Sequence, residues 1–201
     1  MVVAVVKKAA VFTAILFAFS GVKAETISYA IKLGGFKIGS LNTTHIRKGN
    51  IDYYSVISNV EVNLIFKIKV YYKTVSIYNN NQLIESKVSS NVNGNSYASN
   101  TIWDGQKYKI DCSAYKYSYS DSSRTEPIYW SVSKLYFEKP DVGAEIYAET
   151  YGRFSEFKKG GNNQFQVEVQ KSKQIYYYDN SLLGKVEMIN SIKNFEIERN
   201  S

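Results

Sequence analysis

An all-β domain, a curled meander of antiparallel strands forming a barrel or half-barrel, is the architecture predicted for this chain of 201 residues. Three observations carry the prediction. Val, Ile, Tyr, Thr and Phe recur with a period of two over most of the sequence. Gly- and Asn-rich turn signals separate these runs at hairpin spacing. The apolar content sits in rings, 18 Tyr and 10 Phe within a 15% aromatic share, rather than in the leucine stripes of a helical bundle. With 44% hydrophobic and 21% charged residues, the chain can bury a core and lacks the signature of disorder.

Residues 1–24 are read apart from the fold. Lys7 and Lys8 precede an apolar run from Ala9 to Phe19, and Ser20-Gly21-Val22-Lys23-Ala24 places small residues at the −3 and −1 positions of a cleavage site after Ala24. That is the layout of a secretory signal peptide. The run is broken by Thr13 and is shorter than the ~20 apolar residues that a spanning helix needs. The expected mature unit is one β domain, residues 25–201, exported to the periplasm or the extracellular space and without a transmembrane span. Losing three lysines and no acid lowers its net charge from +7 to +4. So mild a bias does not point to nucleic acid, because the densest basic stretch, Lys67-Ile68-Lys69-Val70-Tyr71-Tyr72-Lys73, alternates as a solvated strand face does. Cys112 is the lone cysteine and is in phase with Tyr108 and Ile110, so it reads as a small buried hydrophobe.

Taken in order, Ile27, Tyr29, Ile31 and Leu33 alternate with polar residues, and Gly34-Gly35 turns the chain into Phe36-Lys37-Ile38. Gly39, inside the returning strand, marks a bulge or a close backbone approach. Tyr54, Val56, Ser58, Val60, Val62 and Leu64 share the next face, followed by Phe66, Ile68, Val70 and Tyr72. Asn79-Asn80-Asn81, Asn93-Gly94-Asn95, Asp104-Gly105, Gly160-Gly161-Asn162 and Asp179-Asn180 supply further turns. Residues 113–129, rich in Ser and Tyr and interrupted by Glu126-Pro127, read as a long loop or mobile flap. Val132, Leu135 and Tyr136 fall at helical spacing and predict one short helix near 131–138, stopped by Pro140. Strands resume at 154–157, 165–169, 174–178, 182–189 and 192–197. The total of about ten exceeds what a small flat sheet carries comfortably, which is why the sheet should curl.

Four segments carry a resemblance. They are Tyr29-x-Ile31-x-x-Gly34-x-Phe36-x-Ile38-Gly39, Leu135-Tyr136-Phe137-Glu138-x-Pro140, Glu149-x-Tyr151-Gly152-x-Phe154 and Tyr176-Tyr177-Tyr178-Asp179-Asn180-x-Leu182. Together they make the chain similar to an uncharacterised family of exported β-rich proteins from Bacteroidetes-like bacteria. The resemblance spans most of the mature chain. It implies a curved antiparallel sheet, distantly akin to periplasmic lipoprotein-carrier-like domains, and it brings no catalytic residue with it.

Candidate chemistry is sparse. His45 is the only histidine, far short of a zinc ligand set, and reads as structural or solvent-facing. Glu149, with Glu145 or Asp141, has the residue type for glycoside chemistry, which needs two acids ~5–9.5 Å apart; a structural hydrogen bond explains a motif acid better. Gly34-Gly35 and Gly160-Gly161 are turn glycines, since no phosphate-binding motif surrounds them. The tyrosines remain. Tyr115, Tyr117 and Tyr119 alternate with polar residues and, if extended, present three rings on one face; with Tyr151 they are the candidate ligand-binding residues. The leading expectation is a non-enzymatic periplasmic binding module without cofactor or metal, holding a lipid-like or amphipathic molecule in an apolar cavity of ~300–1,000 Å³. The alternative is an envelope protein that binds a protein partner through a strand edge or tyrosine patch. A hydrolase using Glu149 is the weakest option.

Overall fold

Tight turns and period-two alternation establish the register of the chain strand by strand. The computed structural model describes residues 22–63, 67–170, 172–189 and 194–200. Most of residues 1–24, together with Leu64, Phe66 and Ile192, lies outside the described residues. The strands are β1 (Lys23–Leu33), β2 (Phe36–Lys48), β3 (Ile51–Asn63), β4 (Lys67–Asn79), β5 (Gln82–Val92), β6 (Asn95–Trp103), β7 (Tyr108–Ala114), β8 (Tyr117–Asp121), β9 (Glu145–Ala148), β10 (Arg153–Glu156), β11 (Lys158–Lys159), β12 (Gln164–Val169), β13 (Ser172–Asp179), β14 (Leu182–Ile189) and β15 (Phe195–Arg199). Fifteen described strands exceed the expected ten because edge and interior pieces are too short to show a period.

Thirteen of them form one antiparallel sheet in the order β11-β12-β13-β14-β15-β1-β2-β3-β4-β5-β6-β7-β8, so both halves of the chain are meanders joined through the β15–β1 pair. Gly34 and Gly35, at φ +57 and +83, make the first hairpin turn. One residue is skipped in the ladder at three places: Ile38 between β1 and β2, Ile84 between β4 and β5, and Gly184 between β13 and β14. Such bulges add local twist and help a long sheet coil. Gly39, next to the first bulge, is the close approach its position implied, since a Cβ there would stand 2.3 Å from the Asn59 carbonyl oxygen.

The sheet curls around its own chain. In a flat sheet β6 and β13 would lie roughly 38 Å apart, at ~4.8 Å per strand. Instead both touch the segment that leaves β8 and returns at β11. Thr101 on β6 is 2.6 Å from the Tyr147 hydroxyl, and Tyr178 on β13 donates to the Leu135 carbonyl at 2.8 Å. This internal plug holds the 3-10 turn Lys134–Tyr136, in place of the short helix expected there, and the β9–β10 hairpin. Leu135, Ile146 and Tyr147 are fully buried within it. The β9–β10 hairpin also bridges the two sheet edges. Arg153 stacks 3.7 Å from the centroid of Tyr119 on β8, and the Glu168 amide of β12 donates to Ser155 Oγ at 3.1 Å. The result is a half-barrel, open in its hydrogen bonding and plugged from within.

The expectation of a long loop or flap over 113–129 is corrected. Residues 113–121 belong to the β7–β8 hairpin, with Lys116 at φ +56 in its turn and Tyr117–Asp121 paired to Ala114–Ile110. Period two in Tyr117-Ser118-Tyr119-Ser120 was a strand signal; Pro127 lies beyond the strand it was thought to interrupt.

Candidate functional site

Antiparallel pairing sends alternate turns to opposite ends of the half-barrel, and the plug occupies one of them. At the end marked by Gly49-Asn50 and Asn80-Asn81, Leu83 donates its amide to the Ile128 carbonyl and Lys134 Nζ binds Asn81 Oδ1. Burial lowers the Lys134 ammonium from its ordinary range, and Glu138 works the other way. Tyr54 donates to Glu138 at 2.5 Å, and its hydroxyl is pushed far up by burial and then by that carboxylate. His45 stacks on Tyr54 at 4.4 Å and lies 2.6 Å from Asp52, which Arg47 also grips with two nitrogens. Burial works to raise the Asp52 carboxyl, but the hydrogen bonds and charge of Arg47 and His45 outweigh it and hold it below the usual range. His45 is thus a structural residue.

At the opposite end, marked by Gly34-Gly35, Asn93-Gly94 and Tyr115-Lys116, the strands run past the plug and leave a cavity of about 450 Å³. Its walls are inward residues near strand ends, among them Ile38, Val60, Val70, Val92, Met188 and Phe195. Its floor is the plug: Val132, Ser133, Tyr136 and the turn Ala148–Tyr151. The volume is more than ten times the ~30 Å³ of one liquid water, in an architecture whose interiors normally keep few voids larger than that.

The floor is polar and ordered. Glu149 is 2% exposed and accepts hydrogen bonds from the Ser133 amide (3.0 Å), the Val132 amide (3.1 Å) and Ser76 Oγ (3.2 Å). Ser133 Oγ in turn donates to Ser76 Oγ at 3.1 Å, and the Tyr78 hydroxyl donates to Ser131 Oγ at 2.8 Å. Beside it, Thr74 donates to the Tyr72 hydroxyl at 2.6 Å, which lies 3.0 Å from Thr150 Oγ1. Burial, then the charge of Glu149, pushes the Tyr72 hydroxyl up to about 12, so it remains a donor at neutral pH. Buried acids and hydroxyls that are all satisfied fasten the plug to the sheet. Glu149 as held here is anchored by backbone donors, and no cluster of three metal-ligating side chains occurs among the described residues.

The candidate tyrosines divide. Tyr115, 55% exposed in the β7–β8 turn, and Tyr151 both line the cavity. Tyr117 and Tyr119 do not. The Tyr117 hydroxyl donates to the Tyr151 carbonyl at 2.9 Å and accepts from Arg153 Nε at 3.1 Å, while Tyr119 lies under the Arg153 guanidinium. Their rings bridge β8 to the plug, and Tyr117 orients Tyr151 from behind with an edge contact at 5.3 Å. Tyr72, Thr74, Ser133 and Thr150 were not read from the sequence as site residues. The signal was present: Thr74 and Ser76 are hydroxyls at inward positions of a strand whose neighbours in phase are Tyr72 and Tyr78. Cys112 is buried as read, with burial raising its thiol.

Comparison with known proteins adds a family. A family model described as a domain of unknown function, DUF6134, matches residues 29–200. A crystal structure described as a β-barrel-like protein of the domain DUF1849 from Brucella abortus aligns over 90% of this chain and 96% of its own, at 8% identity and a TM-score of 0.46. No curated protein matches the sequence. No helix among the described residues is long and apolar enough to cross a membrane.

Proposed function

The chain belongs to the DUF6134 family, and from its cavity we propose that it is an exported, non-enzymatic binding module that holds one lipid-like or amphipathic molecule inside the plugged half-barrel. The carrying observation is the cavity itself. A chain that fills one end of its barrel with a densely bonded plug leaves about 450 Å³ unfilled at the other, walled by Val, Ile, Met and Phe. That volume lies within the ~300–1,000 Å³ of small-molecule sites, and its mixture of apolar wall and few convergent polar groups is typical of them. The signal-like residues 1–24 support the compartment, periplasmic or extracellular, where such a carrier would work.

Native mass spectrometry of the protein purified from its own envelope tests the proposal, followed by denaturing extraction. A reproducible lipid or amphiphile adduct, lost on adding side-chain bulk at the wall with Val70→Trp, is the expected result. A bare chain that also fails to bind the neutral dye Nile red would overturn it. One observation favours a second reading, docking to an envelope protein: Phe36 is 79% exposed beside the cavity mouth, with Tyr115 also outward at that end. A co-purified protein released by Phe36→Ser would support that reading.

A further inference from the structure

The cavity has one charged lining residue among the described ones, and it lies on the floor rather than at the mouth. Of the side chains around the space, Glu149 is the single acid, and no Lys, Arg or His lines it. The two side-chain oxygens of Glu149 offer roughly four lone-pair sites, so one acceptor position remains beyond those used by Val132, Ser133 and Ser76. No cation bonds to it among the described residues. Next along the chain, Thr150 Oγ1 joins Tyr72 and Thr74 in a hydroxyl chain on the same floor. Above this patch the wall is mainly aliphatic, with Ser58, Ser90, Ser172 and Gln174 as its polar exceptions.

Such a gradient is the reverse of a site that leaves a charged head in water and buries only a tail. It offers a polar head a place at depth and a hydrocarbon chain the length of the wall. The sign of that place is defined by Glu149. An anionic head, whether carboxylate or phosphate, would meet a like charge in a water-poor space with no basic side chain to offset it, whereas an alcohol, amide or ammonium would donate to the open acceptor. We infer that the occupant is a single-chain amphiphile that enters head first, its head a neutral or cationic hydrogen-bond donor held at Glu149 and Thr150. This deepens the binding reading above and rests on it.

Displacement of Nile red from the full-length mature protein tests the inference, using dodecanol, dodecylammonium and dodecanoate below their micellar concentrations. Dodecanol and dodecylammonium are expected to compete at least ~10-fold better than dodecanoate at pH 7, the ratio that 1.4 kcal/mol produces. In Glu149→Gln, checked for fold by circular dichroism, dodecanoate is expected to come within ~3-fold of dodecanol, since the like charge is gone. The wild-type comparison stands if that variant does not fold. Equal competition by all three ligands in the wild type would overturn the head-first assignment while leaving the cavity reading intact. Failure of the wild type to bind the dye or any of the three would overturn both.

Discussion

The two ends of the half-barrel are built from the same strands and differ in what faces them. At the plugged end, inward Tyr54, Tyr78 and Tyr108 meet partners that the chain supplies from 128–149, and no buried side-chain nitrogen or oxygen among the described residues lacks a hydrogen bond. At the open end, Ile38, Val60, Val70 and Val92 continue the same inward phase and meet empty space. The contrast teaches that the curled sheet does not need its interior empty to be stable, nor full to curl. Where the inward residues meet the plug the chain fills the space itself; where they run past it, a cavity remains.

Substitutions can break or sharpen this contrast, the largest expected effect coming from the plug. Leu135→Ala removes a fully buried side chain from the 3-10 turn and should cost about 4 kcal/mol in urea unfolding, as buried leucines typically do. Gly152→Ala comes next. Its φ of +64 suits glycine, and an added Cβ would stand 2.7 Å from Ile110 Cγ2 and 2.9 Å from Tyr119, so a loss of about 2–3 kcal/mol and a weakened β8–plug contact are expected from the same measurement. At the open end, Val92→Ala should lower stability by less than ~1 kcal/mol because the side chain is only half-buried, yet change Nile red affinity several-fold. A stability loss at Val92 as large as at Leu135 would erase the distinction between the ends.

A pH titration separates the ends by another route. Asp52 has its folded pKa depressed by Arg47 and His45, so it contributes stability that is present above its unfolded value of ~3.9 and is lost as pH falls through the lower folded value. Wild-type stability, followed by thermal unfolding, should therefore drop below about pH 4, and the gap between wild type and Asp52→Asn should be widest above that pH and close below it. Cavity binding of a neutral dye should be unchanged between pH 5 and 8, since none of Asp52, Arg47 and His45 lines it.

How far the sequence could be read follows from where the interactions are local. Turns such as Gly34-Gly35 and the alternation in β1, β3 and β13 were legible, because steric demands at positive φ and the two-residue period act within a few residues. The same period buries Tyr176 and Tyr178 on one face and turns Tyr177 to the other, beneath Lys185. The β7–β8 hairpin was misread because Ser-Tyr alternation without Val or Ile resembles a polar loop. Tyr117 and Tyr119 gave no local hint that Arg153, more than thirty residues on, would cover them.

What local chemistry decided, then, is that this chain makes long antiparallel strands with small turns, a short helical turn of some kind before Pro140, a buried cysteine and a curl too long for a flat sheet. The tertiary structure alone decided that the segment after β8 folds into the concave side, that Glu149 is clamped by Val132, Ser133 and Ser76, and that this cavity lies at the end marked by Gly34-Gly35. Those features depend on contacts between residues far apart in the chain, such as Tyr54 with Glu138 and Ser76 with Glu149. No periodicity encodes them, because which end of a curled sheet its own chain fills is settled by the sum of packing across the whole barrel.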